Sequence, residues 1–350
     1  MPTNRITPVS QALGDVHTVF ITGGAGFIGS HTVDFFLRKG RRVVAIDDLS
    51  TGCLDNLDEA FAFPNFSFIE ENVSNVDWLG LLDRHDTVVH LAASVGVKKV
   101  CESALVTAHN NHVPVEMILN AMREKGGGRF LYASSSEVYG DSPLIGSSES
   151  DFLQVHTHLG GRSAYTVSKL YGELIALAYA EAHQIPVTVM RFFNTIGTRQ
   201  RSEYGMVVPI FVQQALLSEP ITVYGDGTQT RSFCDVGDLA GAIFSLSASS
   251  HSAGKIYNLG NPEEISIYEL AQFVKAETGS NSPIHLLQFP PERADDTDIR
   301  RRKPNIARIE SEIGWRPRIH WKQSVRNIIR ETAYIAPVLQ AEKHAQRFHH

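Results

Sequence analysis

The sequence predicts an α/β fold: a doubly wound parallel sheet with helices on both faces, followed by a smaller C-terminal α/β domain that holds substrate. Three observations carry that prediction. Short apolar runs alternate with helical stretches through the first half of the chain. The first run, Val19 to Ser30, breaks into glycines at positions 23, 26 and 29 just before a helix begins, and a second run ends in an acid about twenty residues later.

The opening run reads V-F-I-T-G-G-A-G-F-I-G-S. Gly23 can take the positive φ that the turn needs, Gly26 leaves a pyrophosphate free to approach the backbone, and Gly29 lets the helix lie close on the strand. The helix N-terminus adds free N–H groups and the positive end of a dipole. The next strand, within Arg42 to Asp48, places Asp47 at its end. A carboxylate there accepts hydrogen bonds from an adenosine ribose and repels a 2′-phosphate, which favours NAD over NADP. An acid that merely starts the following turn is the alternative, and the spacing suits it less well.

Further strands are expected at Phe66 to Glu70, Asp86 to Ala93 and Arg129 to Ser134, the last ending in serines. A long helix is expected from Leu105 to Met122, carrying Asn110 and Asn111. Asp141 to Arg162 is rich in Ser, Gly and Pro and reads as a loop over the site. A helix from about Ser163 to His183 and a sixth strand, Pro186 to Phe192, come next.

Asn194 to Tyr204 reads as a polar loop and Val208 to Leu217 as a helix. Ile221 to Tyr224 and Phe233 to Val236 read as short strands or bends, Asp238 to Ser249 as a helix, and Lys255 to Leu259 as one more strand of the main sheet. From Ile265 the pattern is helix, strand, loop and helix, with a polar tail from about Gln340. The expected division is an N-terminal tail over 1–16, a dinucleotide-binding domain over 17–195 completed by about 232–260, a substrate domain from 196–231 and 261–335, and a C-terminal tail over 336–350. Ligands in open α/β sheets sit beyond the carboxyl ends of the strands. The glycine turn, Asp47, Ala92-Ala93, Ser134 to Ser136 and Asn194 all fall there.

Composition narrows the partners. A net charge of −6 provides no basic field, so nucleic acid and anionic membranes are not expected. No apolar run reaches the length of a membrane span and the first residues lack a signal-peptide core, which places the protein in the cytoplasm. Cys53, Cys101 and Cys234 are few, far apart and without C-x-x-C spacing, as expected of reduced thiols. The 15 histidines form no H-x₃-H or H-E-x-x-H pattern, so no metal is expected.

Tyr165 and Lys169 stand four apart, on one face of a helix. A neighbouring cation favours the phenolate, and the positive nicotinamide ring of a bound NAD adds to that effect. A tyrosine lowered in this way can act as general base toward a sugar hydroxyl while hydride leaves the same carbon.

With these in place, Gly23 to Gly29 (G-G-A-G-F-I-G), His90 to Ala93, Ser134 to Gly140 (S-S-S-E-V-Y-G) and Tyr165 to Lys169 together resemble the extended short-chain dehydrogenase/reductase family, whose cofactor domain is of the Rossmann type. The resemblance continues through Arg191-Phe192-Phe193-Asn194, Val223 to Gly227, Gln229 to Phe233 and Arg302-Lys303-Pro304, and spans about residues 17 to 330. It implies an enzyme acting on a nucleotide sugar with NAD, among epimerases, 4,6-dehydratases and decarboxylases.

The resemblance also implies roles. Tyr165, Lys169 and Ser135 act on the 4-hydroxyl. The NAD site is made by Gly23, Gly26, Phe27, Ile28, Gly29 and Asp47, with Asn72, Val73, Leu91, Ala92, Ala93 and Asn111. Asn194 and Arg231 bind the nucleotide diphosphate, with Val208, Tyr224 and Arg302 completing the substrate site. Glu137 is the discriminating residue, because similar decarboxylases and dehydratases carry Glu there for chemistry at C5, managed with Ser135 and Ser136. Arg302, in R-R-R-K-P-N, resembles an arginine of UDP-glucuronate decarboxylases implied to act on the sugar carboxylate or the enolate.

Other readings stay open. Glu137 could be a surface or helix-capping residue after the strand, Asn194 could cap a turn, Arg231 could pair with Asp235, and residues 300–303 could be a basic turn touching only the diphosphate. Asn72 stands where relatives carry aspartate, and Met206 where a basic residue is expected. UDP-hexose 4-epimerase and nucleotide-hexose 4,6-dehydratase are the alternative activities, and a non-catalytic NAD and nucleotide-sugar sensor is the alternative of another class. Relatives pair the two long helices across a twofold axis, which implies a homodimer.

Overall fold

The structure is a computed structural model that describes residues 17–94, 104–140, 146–155, 161–289 and 299–347. Its strands are β1 (Thr18–Thr22), β2 (Arg42–Asp47), β3 (Phe66–Glu70), β4 (Thr87–His90), β5 (Arg129–Ser135), β6 (Val187–Phe192) and β7 (Thr195–Ile196). They continue as β8 (Ile221–Tyr224), β9 (Thr230–Ser232), β10 (Cys234–Asp235), β11 (Lys255–Leu259), β12 (Glu264–Ser266), β13 (Ile284–Leu287) and β14 (Arg301–Arg302).

The helices are α1 (Phe27–Arg38), two single turns α2 (Asp58–Phe61) and α3 (Trp78–Leu81), α4 (Ala104–Lys125) and α5 (Gly161–His183). After these come α6 (Val207–Leu216), α7 (Val236–Ala248), α8 (Ile267–Thr278), α9 (Ala307–Ile313) and α10 (Trp321–Arg347).

The main sheet has the order β3-β2-β1-β4-β5-β6-β11, and every neighbouring pair in it is parallel. Alternation along each strand decides which face a side chain joins. Val19, Ile21, Val43 and Ala45 face Val33, Phe36 and Leu37 of α1 and Leu239 and Ile243 of α7. Phe20, Val44 and Ile46 face the other way, onto Val115, Ile118 and Leu119 of α4 and Ala176 of α5. The strand order reverses between β1 and β4, and a crevice opens there beyond the strand ends.

A third apolar cluster joins Phe211 and Val212 of α6, Ile221 and Val223 of β8, Leu270 and Val274 of α8, and Trp321 and Val325 of α10. The capping box of Ser266 and Glu269 opens α8, and Gly279 in the left-handed conformation closes it. This C-terminal part faces the sheet across the crevice. The doubly wound parallel sheet expected from the sequence is therefore present, and β11 extends it as expected.

Differences lie at element ends. β4 stops at His90, leaving Ala92-Ala93 beyond the strand, and α10 runs to Arg347. The segment expected as a polar C-terminal tail is helical through that residue. The expected N-terminal tail lies outside the described residues, as do 141–145 and 156–160 of the expected loop over the site.

Asp235 joins the two parts. One carboxylate oxygen accepts from Gly237 N at 2.7 Å, capping α7, and the other accepts from Ser324 Oγ of α10 at 2.6 Å. Asp235→Ala removes a cap and leaves the buried Ser324 hydroxyl without its acceptor, at a cost of about 2 kcal/mol. Urea denaturation should show a lower midpoint with an unchanged slope.

Candidate active site

The glycine turn is fixed by contact distances. Gly23 has φ 68°, and a Cβ there would lie 2.9 Å from Ala92 N; a Cβ on Gly29 would lie 1.9 Å from Gly23 O. A Cβ on Gly26 would meet only Gly23 O, at 3.2 Å, because that position borders open space. Gly26 is also the N-cap of α1 and supplies no side chain to its first N–H groups. The result is a cradle of bare backbone donors that suits a pyrophosphate.

Asp47 closes this cradle from the end of β2. It accepts from Ala25 N at 3.0 Å and from Leu49 N at 2.8 Å. Burial pushes its carboxyl up, while the backbone N–H groups draw it back down. The residue therefore fastens the glycine turn and also borders the cavity. Asn72 accepts from Ser74 N at 3.0 Å and donates to Asp48 Oδ2 at 2.8 Å, bracing the rim on which an adenine would rest.

The cavity measures about 970 Å³ and runs from this turn to the C-terminal part. Phe27, Ile28, Val73, Leu91, Ala92 and Ala93 line its first section. Ser135, Ser136, Glu137, Tyr165 and Lys169 line the middle, and Asn194, Val208, Tyr224 and Arg231 line the far end.

Two expected residues sit elsewhere. Asn111 does not border the cavity: its Oδ1 accepts from Ser94 N at 2.7 Å and its Nδ2 donates to Ser168 Oγ at 3.0 Å. With both ends of the amide engaged, it ties the chain after β4 to α5. Arg302 also lies off the wall, almost fully buried behind Glu137, to which its Nη1 donates; its Nη2 donates to Gly140 O at 3.2 Å. In the protein alone its guanidinium is a counter-charge to Glu137.

At the centre, Ser135 ends β5 and accepts from Glu137 N at 3.2 Å, which turns the chain and brings Glu137 to the wall. Lys169 Nζ donates to Ala133 O at 2.8 Å and stands 6.0 Å from the Tyr165 ring centre. Burial pushes Tyr165 up to about 12, with a hydrogen bond from Ser135 drawing it down and the charge of Glu137 raising it. The sequence led us to expect a phenol lowered by the lysine; in the protein alone, desolvation wins. Burial also draws Lys169 down to about 7, partly offset by Glu173.

The far end fits a nucleotide. Asn194 Nδ2 is buried without a hydrogen-bond partner, an unmade donor on the cavity wall. Arg231 Nη1 donates to the carbonyls of Thr230 and Ile299 at 2.8 and 2.7 Å, which fixes the guanidinium beside the cavity. It does not hold Asp235, whose carboxylate serves Gly237 and Ser324. Tyr224 stacks on Phe289 with centroids 5.7 Å apart and planes 21° from parallel, and both border the cavity. Phe289 was not expected; no periodicity marks it, because it acts through Tyr224 on a neighbouring segment.

The sequence reading also passed over Thr22 and His90. Thr22 Oγ1 accepts from Ala92 N at 3.1 Å and shares a hydrogen bond with His90 Nδ1, 2.8 Å away. His90 is stacked against Phe130 and Tyr132 and buried.

A parallel sheet reversing at a glycine turn, with a ribose-side acid and a Tyr/Lys pair beside a serine, defines a dinucleotide-dependent enzyme of the extended short-chain dehydrogenase/reductase class. A family model for the NAD dependent epimerase/dehydratase family matches residues 19–260, and the chain belongs to that family. Among curated proteins, it is 35% identical over 315 residues to UDP-glucuronic acid decarboxylase 1 of Danio rerio, covering 90% of this chain and 72% of that protein. UDP-glucuronic acid decarboxylase 2 of Arabidopsis thaliana is 35% identical over 313 residues, covering 89% and 67%. Among solved structures, UDP-glucuronic acid 4-epimerase of Bacillus cereus, in complex with UDP-glucuronic acid and NAD, superposes with a TM-score of 0.81 at 25% identity, over 91% of this chain and 99% of that one.

His90 yields a pH prediction. Burial lowers the ring from 6.5 to about 3, so between those values the unfolded chain binds a proton that the folded protein refuses. Stability therefore falls as pH drops through that window, by up to about 1.4 kcal/mol per unit from this residue. His90→Asn should flatten the acid side of a plot of urea midpoint against pH.

Proposed function

We propose that the protein is an NAD-dependent UDP-glucuronate decarboxylase that forms UDP-xylose, or the UDP-4-keto-pentose if the intermediate leaves early. The observation that carries this reading is Glu137: a carboxylate on the cavity wall beside Ser135, with the Arg302 guanidinium against it. The two decarboxylases similar over most of the chain support it. So does the cradle around Gly26, with Asp47 at its edge and room beside it for a dinucleotide.

Held by the backbone around Gly23 and Gly26 with Asp47 at the ribose, NAD would supply a hydride acceptor and donor for sugar C4. Tyr165 takes the proton of the 4-hydroxyl, with Ser135 holding the oxygen. Lys169 stabilises the phenolate, and the positive cofactor ring supplies the field that the protein alone lacks. The 4-ketone places the C5 carboxylate β to a carbonyl, and the C5–carboxyl bond breaks with its electron pair passing into an enolate. C5 takes its proton from a water that Glu137 and Ser136 hold at the wall, the hydroxide left behind being neutralised by solvent, while Arg302 keeps the Glu137 carboxylate in place. Tyr165 then returns its proton to O4. Asn194 and Arg231 hold the diphosphate, and Tyr224 on Phe289 offers a flat aromatic surface to the base.

A second reading, 4-epimerisation of the same UDP-glucuronate, is favoured by the Bacillus cereus neighbour. It needs no carboxylate at position 137. Product mass separates the two readings, since decarboxylation removes CO₂ and epimerisation leaves the mass unchanged. With UDP-glucuronate and NAD, the protein should release CO₂. Tyr165→Phe should slow turnover by about a thousandfold. Glu137→Gln should slow CO₂ release by about a hundredfold while the absorbance of reduced nicotinamide still appears in the first turnover. A product of unchanged mass would reject decarboxylation.

We also propose a homodimer in the cytoplasm. α4 and α5 pack on each other and leave Leu105, Val106, Val167, Tyr171 and Leu174 exposed, an apolar face suited to its twofold copy. Leu174→Glu should halve the mass seen by light scattering; a wild-type protein already monomeric at micromolar concentration would remove the proposal.

A further inference from the structure

Behind the catalytic pair lies a charged cluster that the reaction above does not use. Glu173, one helical turn past Lys169 on α5, is almost completely buried. Arg191 of β6 grips it with two parallel hydrogen bonds, Nε to Oε1 at 2.9 Å and Nη2 to Oε2 at 2.7 Å. Ser134 Oγ donates to the same carboxylate, from the residue just before Ser135. Arg191 Nη1 donates to Tyr139 OH at 3.0 Å, and Tyr139 OH donates to Asn258 Oδ1 at 2.6 Å.

This arrangement is more than a fastener between α5 and β6. Burying both charges is costly, and apolar residues would join the two elements as well. What apolar residues could not do is set a field at Lys169. The groups that face that lysine are Tyr165 and Glu173 on its own helix, Tyr132 on β5 and His90 on β4. Arg191 on β6 reaches it through Glu173. His90 is held neutral by burial and Tyr132 keeps its proton, so neither supplies a charge. Glu173 is the anion that favours the lysine ammonium, and Arg191 is the cation that tempers Glu173.

We propose that the Glu173–Arg191 pair is a positioning element of the active site that sets the charge Lys169 presents to Tyr165. Arg191 and Ser134 take up part of the Glu173 carboxylate, and the remainder acts on the lysine one turn away. The pair touches neither substrate nor cofactor. Its effect reaches the reaction through Lys169 and rests on the reading of Tyr165 as the base.

The test is one of sign. Glu173→Gln leaves Arg191 as an uncompensated cation, which should make the Tyr165–Lys169 pair release protons more readily and move the acid limb of the kcat/KM profile down by about one pH unit. Arg191→Met leaves Glu173 uncompensated and should move that limb up by a similar amount. The double variant should return close to the wild-type profile. Ser134→Ala, which keeps both charges and so the fold, should move the limb upward by a smaller step.

An NMR titration of isotope-labelled lysine, with Lys169→Met identifying the signal, reads the same shifts in the protein without cofactor or substrate. That readout stands even if Tyr165 is not the base. Shifts of Lys169 in the same direction in both single variants, or no shift in any variant including Ser134→Ala, would reduce the pair to a structural fastener and overturn the proposal.

Discussion

The active site depends on a nearly buried lysine ammonium in the cavity wall. Lys169 is anchored on the carbonyl of Ala133 and shares its surroundings with the rings of Tyr132 and Tyr165. A charge in that position is costly to desolvate, and its level near 7 follows from burial working against Glu173. Much of the nearby architecture follows from satisfying it. β5 must end where Ala133 can accept the bond, so Ser134 and Ser135 fall at the sheet edge, and α5 must lie close enough for Tyr165 to reach Ser135.

The parts of this design legible in the sequence are those with a fixed local spacing. Three glycines at intervals of three, an acid at the end of the next strand and a tyrosine four residues before a lysine each encode a short-range geometry, and the structure gathers them at the strand ends. Residues whose surroundings depend on distant segments were read less well. Asn111 is on the expected helix, but its amide is taken by Ser94 and Ser168. Arg302 is near the site, but the chain around residues 137–140 claims its guanidinium. The ionisation of Tyr165 was misjudged for a related reason: a helix face shows which cation is near, whereas desolvation depends on everything packed around it.

The two parts of the molecule meet along an unusual seam. Ser147 N donates to Lys303 O at 2.9 Å, Asn305 N donates to Ser147 O at 2.8 Å, and Asn258 Nδ2 donates to the carbonyls of Ser147 and Asn305. Through Tyr139 the same Asn258 joins the Arg191 cluster. The segment carrying Arg302 is thus bonded both to the end of the main sheet and to the chain leaving the Glu137 turn.

β14 is only two residues long, and its register against β9 pairs Arg301 with Thr230 and Arg302 with Arg231. Successive side chains on a strand point to opposite sides. Arg301 accordingly pairs with Glu264 while Arg302 turns to Glu137. A slip of one position would exchange these assignments, sending the guanidinium meant for the interior toward the surface. The parity of this short stretch, more than the number of arginines in it, therefore determines whether Glu137 has a cation beside it.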